Sequence, residues 1–364
     1  MSINACENAA TASPAQTFQI AVLPGDGIGV EVTREAVKVL RAAEARLNDV
    51  RFELREFAAG ASEYLRCGDP LPEATFAACR QADAILLGAM GLPTVRWPDG
   101  KEISPQLDLR ERLDLYFGLR PIYLFHRDDT PLKDYDSREI DFAIVRENTE
   151  GLFSARRSTS SPTNGEVCDV MRITRRGTER VCRDAFRLAQ KRRKRLTLID
   201  KANVLPSMAF FRSVFDEVAR EFPDVEADRV YVDAAALYMV KNPQRFDVVV
   251  TENMFGDILS DLAAGLVGGM GMAPSADIGE KHAVFQPSHG SAPDIAGRGI
   301  ANPIAMILSV ALMLEWLDIP QTIHAAGRIR VAVERALADP VHRTPDLGGV
   351  LSTQEIGDLV AAEV

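Results

Sequence analysis

Short β-branched runs alternate along this chain with longer stretches in which apolar positions recur every three to four residues, the pattern of strands packed against amphipathic helices. The first run, FQIAVLPGDG (residues 18–27), predicts a strand closing in a turn, and GVEVTREAVKVLRAAEARL (29–47) after it predicts an amphipathic helix. Further strands are predicted at DVRFELREF (49–57), ADAILLGAM (82–90), IDFAIVREN (140–148), RLTLIDKAN (195–203), VEADRVYVDA (225–234) and RFDVVVTEN (245–253). Strands alternating with helices give an α/β architecture. Each run ends on polar or charged residues, and open α/β sheets gather ligands beyond the carboxyl ends of their strands. One stretch differs: FSARRSTSSPTNGEVCDVMRITRRGTERV (153–181) is polar, then alternating, and predicts an exposed arm or hairpin. There is no internal repeat and no low-complexity linker.

Length changes the picture first, because 364 residues exceed one small domain and suggest two lobes. A net charge of -10 argues against a broad nucleic-acid or anionic-membrane footprint, while a local arginine cluster can still bind a small anion. KRRKR (191–195) closes a predicted helix just before a strand, where cations suit the negative helix end. The cysteines, Cys6, Cys67, Cys79, Cys168 and Cys182, are odd in number and lack zinc spacing, so reduced thiols in a cytoplasm are expected. The first 18 residues carry neither a basic region nor an apolar block and read as a frayed tail. No apolar run approaches the roughly 18 residues that span a bilayer.

Candidate chemistry clusters at strand ends. In GDGIG (25–29) the third glycine is Gly29, whereas a dinucleotide fingerprint needs it at Val30, so that fingerprint fails; a tight strand-to-helix turn is the simpler reading. Arg110, Arg120 and Arg146 supply guanidinium groups suited to a substrate with two carboxylates, although each alone fits an ordinary ion pair. Lys201 and Asp233 lie just past strands. Asp257 and Asp261 stand one helical turn apart in the otherwise apolar TENMFGDILSDLAAGL (251–266). Two carboxylates on one helix face repel unless an arginine, a lysine or a metal ion lies between them.

The segments LPGDGIG, GLRP, VREN, DKANVL, YVDA, FGDILSDLA and HGSAPDIAGRGIANP occur in the order found in the β-decarboxylating dehydrogenases, the isocitrate and 3-isopropylmalate dehydrogenase family, which this chain resembles from about Gln19 to the DLGG near its C-terminus. The resemblance implies a two-domain fold with a non-Rossmann mode of dinucleotide binding. It implies a large domain of residues 19–115 and 268–364 holding the cofactor, and a small central domain of 116–267 carrying the metal site, the dimer contact and the arm near 153–178. Asp257 and Asp261 match the pair that binds Mg²⁺ or Mn²⁺; Asp233 matches a third carboxylate, donated with Lys201 by the partner of a homodimer. Lys201 would help take the C2 hydroxyl proton as hydride leaves to the nicotinamide, after which the C3 carboxylate departs as CO₂. Arg110, Arg120 and Arg146 would hold carboxylates. In the cofactor segment His289, Gly290, Ala301 and Asn302 match residues near adenine, with Ser291 and Ala292 alongside and Asp294 on the ribose; Ile28 and Asn203 match lesser contacts. Asp294-Ile295 stands where NADP-using members carry Lys-Tyr, which favours NAD.

Three positions depart from the family pattern. Phe153 occupies the place of a tyrosine expected to protonate C3, and phenylalanine donates no proton; Tyr231, Ser154 or water would have to serve, or decarboxylation is impaired. Gln286 replaces a usual glutamate, weakening one expected cofactor contact. In GKEISPQLDLR (100–110), Ser104 and Gln106 favour a polar C3 substituent and Leu107 offers the one clear apolar wall. The expected activity is NAD- and metal-dependent oxidative decarboxylation of a 3-substituted (R)-malate: 3-isopropylmalate, with tartrate, D-malate or isocitrate as alternatives. Rival readings are a catalytically weak ligand-binding homologue and a metal-free Rossmann hydroxyacid dehydrogenase.

Overall fold

The computed structural model describes residues 16–157 and 165–364; residues 1–15 of the expected tail and 158–164 of the expected arm lie outside the described residues. The strands are β1 (Gln16–Gly25), β2 (Val50–Glu56), β3 (Ala84–Ala89), β4 (Phe117–Tyr123), β5 (Asp141–Glu147), β6 (Arg195–Asp200), β7 (Glu226–Tyr231), β8 (Val248–Thr251), β9 (Pro274–Ile278) and β10 (Ala283–Pro287). They form one ten-stranded sheet in the order β2-β1-β3-β10-β9-β4-β5-β8-β6-β7. β1 opens at Gln16, paired with Val50, so the tail boundary expected after residue 18 moves earlier. The C-terminal part of the expected arm is helix from Arg175.

Two parallel blocks meet in this sheet. β2, β1, β3 and β10 run together, as do β5, β8, β6 and β7. Between them β9 and β4 make antiparallel pairs with each other and with their outer neighbours β10 and β5. All seven strands expected from the hydrophobic pattern belong to the parallel blocks, whose inner strands must be apolar because helices cover both faces. β3 and β8 are buried along their whole length. The seam strands β4 and β9 and their neighbour β10 were not foreseen, and their sequences explain why: FGLRPIY has a proline inside it, while PSADI and AVFQP are short and carry polar residues inward. Pro121 is tolerated because β4 is paired to β9 only as far as Leu119.

Helices close both faces. The helix Ile304–Trp316 is apolar nearly all round and sits inside the largest core cluster, against the helices Gly29–Glu44 and Pro320–Ala338. A second cluster forms where the helices Arg175–Gln190 and Pro206–Ala219 meet β5, β6 and β8. Among the described residues no helix is long and apolar enough to cross a membrane, and the cysteines are unpaired.

The GDGIG turn is a structural clasp. Gly25 and Gly27 hold positive φ, and a Cβ on them would stand 1.9 Å from the Ala89 carbonyl oxygen and 2.0 Å from that of Ser291. Asp26 N–H donates to Ala89 O at 2.7 Å and Ile28 N–H to Ser291 O at 2.8 Å, which fastens β1 to β3 and to the segment after β10. The buried Asp26 carboxylate accepts from the backbone N–H groups of Ala61, Ser62 and Gly91. Asp26→Ala strands these donors and is expected to cost about 3 kcal/mol or more of unfolding free energy. Urea denaturation checks this; a loss below about 1 kcal/mol would contradict the clasp.

Candidate active site

The seam positions the chemistry. Register places Asp277 of β9 opposite Gly118 of β4, Gly118 opposite Arg146 of β5, and Arg146 opposite Thr251 of β8, one rung across four strands. Residues on one rung share a face, and Arg120, two positions after Gly118, points to the same side. Arg110 arrives from the helix Pro105–Arg112. Gly118 is required by space: a Cβ there would stand 2.6 Å from Asn148 Oδ1. The gap lets Asn148 Nδ2 reach Asp277 Oδ1 at 2.8 Å.

Arg110, Arg120 and Arg146 are all buried, and like charges so close need counter-charge. Asp277 provides it from beneath: Arg110 Nε donates to its Oδ2 at 2.7 Å and Gln286 Nε2 to the same oxygen at 2.6 Å. Burial alone would raise the Asp277 carboxyl, but Arg110, Arg120 and Arg146 outweigh it and hold it below the usual range. Burial, partly countered by Asp277 and reinforced by Arg110, lowers Arg120; burial, reinforced by Arg110, also lowers Arg146. Arg120 Nη1 donates to Ser288 Oγ at 2.9 Å while its Nε has no partner.

Asp257 pairs directly with Arg146 Nη1, and Arg146 Nε donates to Asn253 Oδ1 at 2.9 Å. Both partners lie on the helix Asn253–Gly265, which comes close because Gly256 has no side chain; a Cβ there would sit 2.7 Å from Arg146 Cβ and Cγ. The helix is capped by Glu252, whose carboxylate accepts from Met254 and Phe255 N–H. Asp261 is raised by its burial and then by Asp257. Arg146 thus accounts for Asp257 and leaves Asp261 as an under-compensated carboxylate on the same face.

Arg110, Arg120, Arg146, Asp257, Asp261 and Gln286 line a cleft of about 280 Å³, together with Gln106, Leu107, Phe153, Ser288, His289 and Gly290. Ser104 is not in the lining; it precedes the first turn of the helix Pro105–Arg112 and makes no capping bond. Phe153 faces the cleft, its ring centre 5.1 Å from the Arg146 guanidinium carbon. Ser154 is committed to the Gly151 carbonyl at 2.8 Å. Gln286 also needs restating: its amide is spent on buried Asp277 as well as facing the cleft. Asp277, Asn148 and Ser288 were missed in the sequence; the available signal was a lone aspartate inside the apolar run MAPSADIG.

The segment after β10 folds over one end of the cleft. His289 Nδ1 lies 2.9 Å from Gly290 O, its Nε2 is buried without a partner, and burial lowers its pKa, so the ring is neutral at physiological pH. Ser291 donates to Gly91 O, and Ala292 holds a positive φ of 37°. Asn302 caps the helix Ile304–Trp316 through Ile304 N–H, and the Ala301 carbonyl accepts from Thr353. Asp294 is exposed. Buried Ile28 acts here through its backbone bond to Ser291.

Lys201, Asn203 and Asp233 are not in this chain's cleft lining. They lie beyond β6 and β7, where Lys201 Nζ pairs with Asp233 Oδ1 at 2.6 Å and holds that carboxyl below its usual range. Among the described residues no group of three or more histidine, cysteine or acidic side chains can hold a metal. Asp257 and Asp261 therefore offer two hard oxygen donors, the right type for a divalent cation but an incomplete set within one chain.

The family model described as isocitrate/isopropylmalate dehydrogenase matches residues 19–360. The chain is 46% identical over 353 residues to a 3-isopropylmalate dehydrogenase of Corynebacterium urealyticum, covering 95% of this chain and 99% of that one. It is 44% identical over 361 residues to the enzyme of the same name from Carboxydothermus hydrogenoformans, covering 95% of both. Among solved structures, isocitrate dehydrogenase from Methylococcus capsulatus superposes with a TM-score of 0.85 at 38% identity, covering 95% of this chain and 99% of that one. The β-decarboxylating dehydrogenase from Thermococcus kodakarensis gives 0.79 at 40% identity, covering 95% and 96%.

Proposed function

This chain belongs to the isocitrate/isopropylmalate dehydrogenase family, and from that premise we propose that it oxidises and decarboxylates a 3-substituted (R)-malate, 3-isopropylmalate first, with NAD and Mg²⁺ or Mn²⁺. The observation that carries this reading is the convergence of Arg110, Arg120 and Arg146 on one small cleft that also holds Asp257 and Asp261. Guanidinium groups bind carboxylates bidentately, so the cleft suits a 2-hydroxy dicarboxylate. When bound, NAD supplies the hydride acceptor and the divalent ion supplies positive charge against which a developing oxyanion is stabilised. Asp257 and Asp261 are the ligands we assign to the ion. His289, Gly290, Ser291, Ala292, Asp294, Ala301 and Asn302 are assigned to the dinucleotide, with Ile28 and Asn203 as lesser contacts. The exposed Asp294 carboxylate suits two ribose hydroxyls and repels a 2'-phosphate.

The large lobe in this proposal is 19–115 with 268–364, and the small lobe is 116–267. Lys201, as the group receiving the C2 hydroxyl proton, and Asp233, as a third carboxylate, come from a second copy of the chain. Supporting this, they lie outside the cleft of their own chain, and Leu237, Val240 and Ile258 leave an exposed apolar surface on neighbouring helices of the small lobe. The unpaired cysteines suit a cytoplasmic address.

One observation favours a second reading of the substrate. Gln106 lies beside Leu107 in the cleft, and its buried Oε1, an acceptor, has no partner, which suits a C3 substituent that donates, as the hydroxyl of tartrate does; the carboxylate of isocitrate would need the Gln106 amide N–H instead. Absorbance of NADH over a panel of 3-isopropylmalate, tartrate, D-malate and isocitrate, with Mn²⁺, is expected to show turnover that EDTA abolishes. Turnover undiminished by EDTA would reject the metal, and ligand binding with no turnover across the panel would mark a non-catalytic homologue.

Phe153 leaves the cleft without a phenol from its own chain at that position. Phe153→Tyr is expected to raise CO₂ release per NADH formed toward one to one if, without the phenol, oxidised keto acid escapes before it loses CO₂. An unchanged ratio would remove phenylalanine as the reason.

A further inference from the structure

Among the described residues Asp277 is the carboxylate that pairs with the arginine cluster from beneath without lining the cleft, and its hydrogen bonds are selective. Its Oδ2 takes Arg110 Nε at 2.7 Å and Gln286 Nε2 at 2.6 Å, and its Oδ1 takes Asn148 Nδ2 at 2.8 Å. Asp277 and Gln286 come from adjacent antiparallel strands and are themselves buried. Because an amide donates and a carboxylate only accepts, the site admits one carboxylate and one amide between positions 277 and 286. Two carboxylates at this separation repel, and two amides leave Arg110 without a buried counter-charge. Nε is the inner nitrogen of the guanidinium; tying it to β9 fixes the plane of the group and turns its two Nη atoms toward the remaining space. Asp277 makes no contribution to the cleft lining, whereas Arg110 and Gln286 both do.

We propose that Asp277 and Gln286 form a matched carboxylate–amide pair that orients Arg110 for the substrate carboxylate, so that the amide at 286 is dictated by the acid at 277. Both are positioning residues: Asp277 acts through Arg110, and Gln286 acts through Asp277. The inference rests on the assigned dicarboxylate reading for its kinetic consequence, while the pairing rests on the chain alone. Gly118 is part of the device, since a side chain there would displace Asn148 from the same carboxylate.

The experiment exchanges the two groups. Asp277→Asn alone and Gln286→Glu alone are each expected to raise KM for 3-isopropylmalate about 10- to 100-fold, with kcat changed several-fold less, because orientation of a binding arginine is lost. The double variant Asp277→Asn/Gln286→Glu restores one carboxylate and one amide and is expected to return KM to within about 5-fold of the wild type. A double variant no better than the poorer single variant, or a Gln286→Glu variant with unaltered KM, overturns the proposal. Urea midpoints are measured on the same set, and there the double variant is expected to recover most of what each single loses; additive losses overturn the pairing. If the unaltered protein turns over no acid, the dicarboxylate reading fails, and the midpoints still decide whether the two residues are paired.

Discussion

Three guanidinium groups brought into one buried cleft cost more than they return unless the fold supplies negative charge within hydrogen-bond reach. The seam of the sheet does so from two directions. From below, Asp277 accepts Arg110, Asn148 and Gln286. From the side, the helix Asn253–Gly265 brings Asp257 onto Arg146 and Asn253 onto its Nε. Both approaches depend on glycine, Gly118 beneath and Gly256 beside, because a Cβ would collide with the Asn148 amide at the first and with the aliphatic stem of Arg146 at the second. The antiparallel splice between two parallel blocks is what puts these residues on one rung.

The same arrangement explains why the cleft invites ligand. Asp277 and Asp257 each have an arginine partner, while Asp261 is held above its usual range by burial and by Asp257. Arg120 retains an unpartnered Nε and His289 an unpartnered Nε2. Positive groups on one wall and an under-compensated carboxylate on the other suit a substrate that is itself anionic and a cation that joins it to the acidic face. Outside the cleft, Lys201 and Asp233 neutralise each other, which is a tolerable resting state for two groups proposed to complete another copy's site.

Much of this was legible in the sequence and some was not, for physical reasons. Seven of the eight strands in the parallel blocks announced themselves, the inner ones because burial on both faces demands continuous apolar runs. β4, β9 and β10 did not, since Pro121 and the buried polar Arg120, Asp277 and Gln286 interrupt the apolar pattern that marks a strand. Residue type and spacing mark Arg110, Arg120, Arg146, Asp257 and Asp261 as candidates, the family resemblance implies their joint role, and they do share the cleft. Asp277 went unread because a single aspartate carries no spacing signal; its meaning lies in three partners distant in sequence. Ser104 was read as a specificity residue and lies outside the lining, because helix geometry turns Gln106 and Leu107 inward instead.

The central claim is that one chain builds a charge-balanced half-site which a second copy completes with Lys201 and Asp233. Subunit mixing tests it most directly. Lys201→Ala and Asp261→Asn are each expected to be nearly inactive, and a mixture allowed to exchange subunits is expected to recover about a quarter of wild-type turnover, since half the dimers then hold one intact site. No recovery, in a mixture that demonstrably forms mixed dimers, would contradict the account.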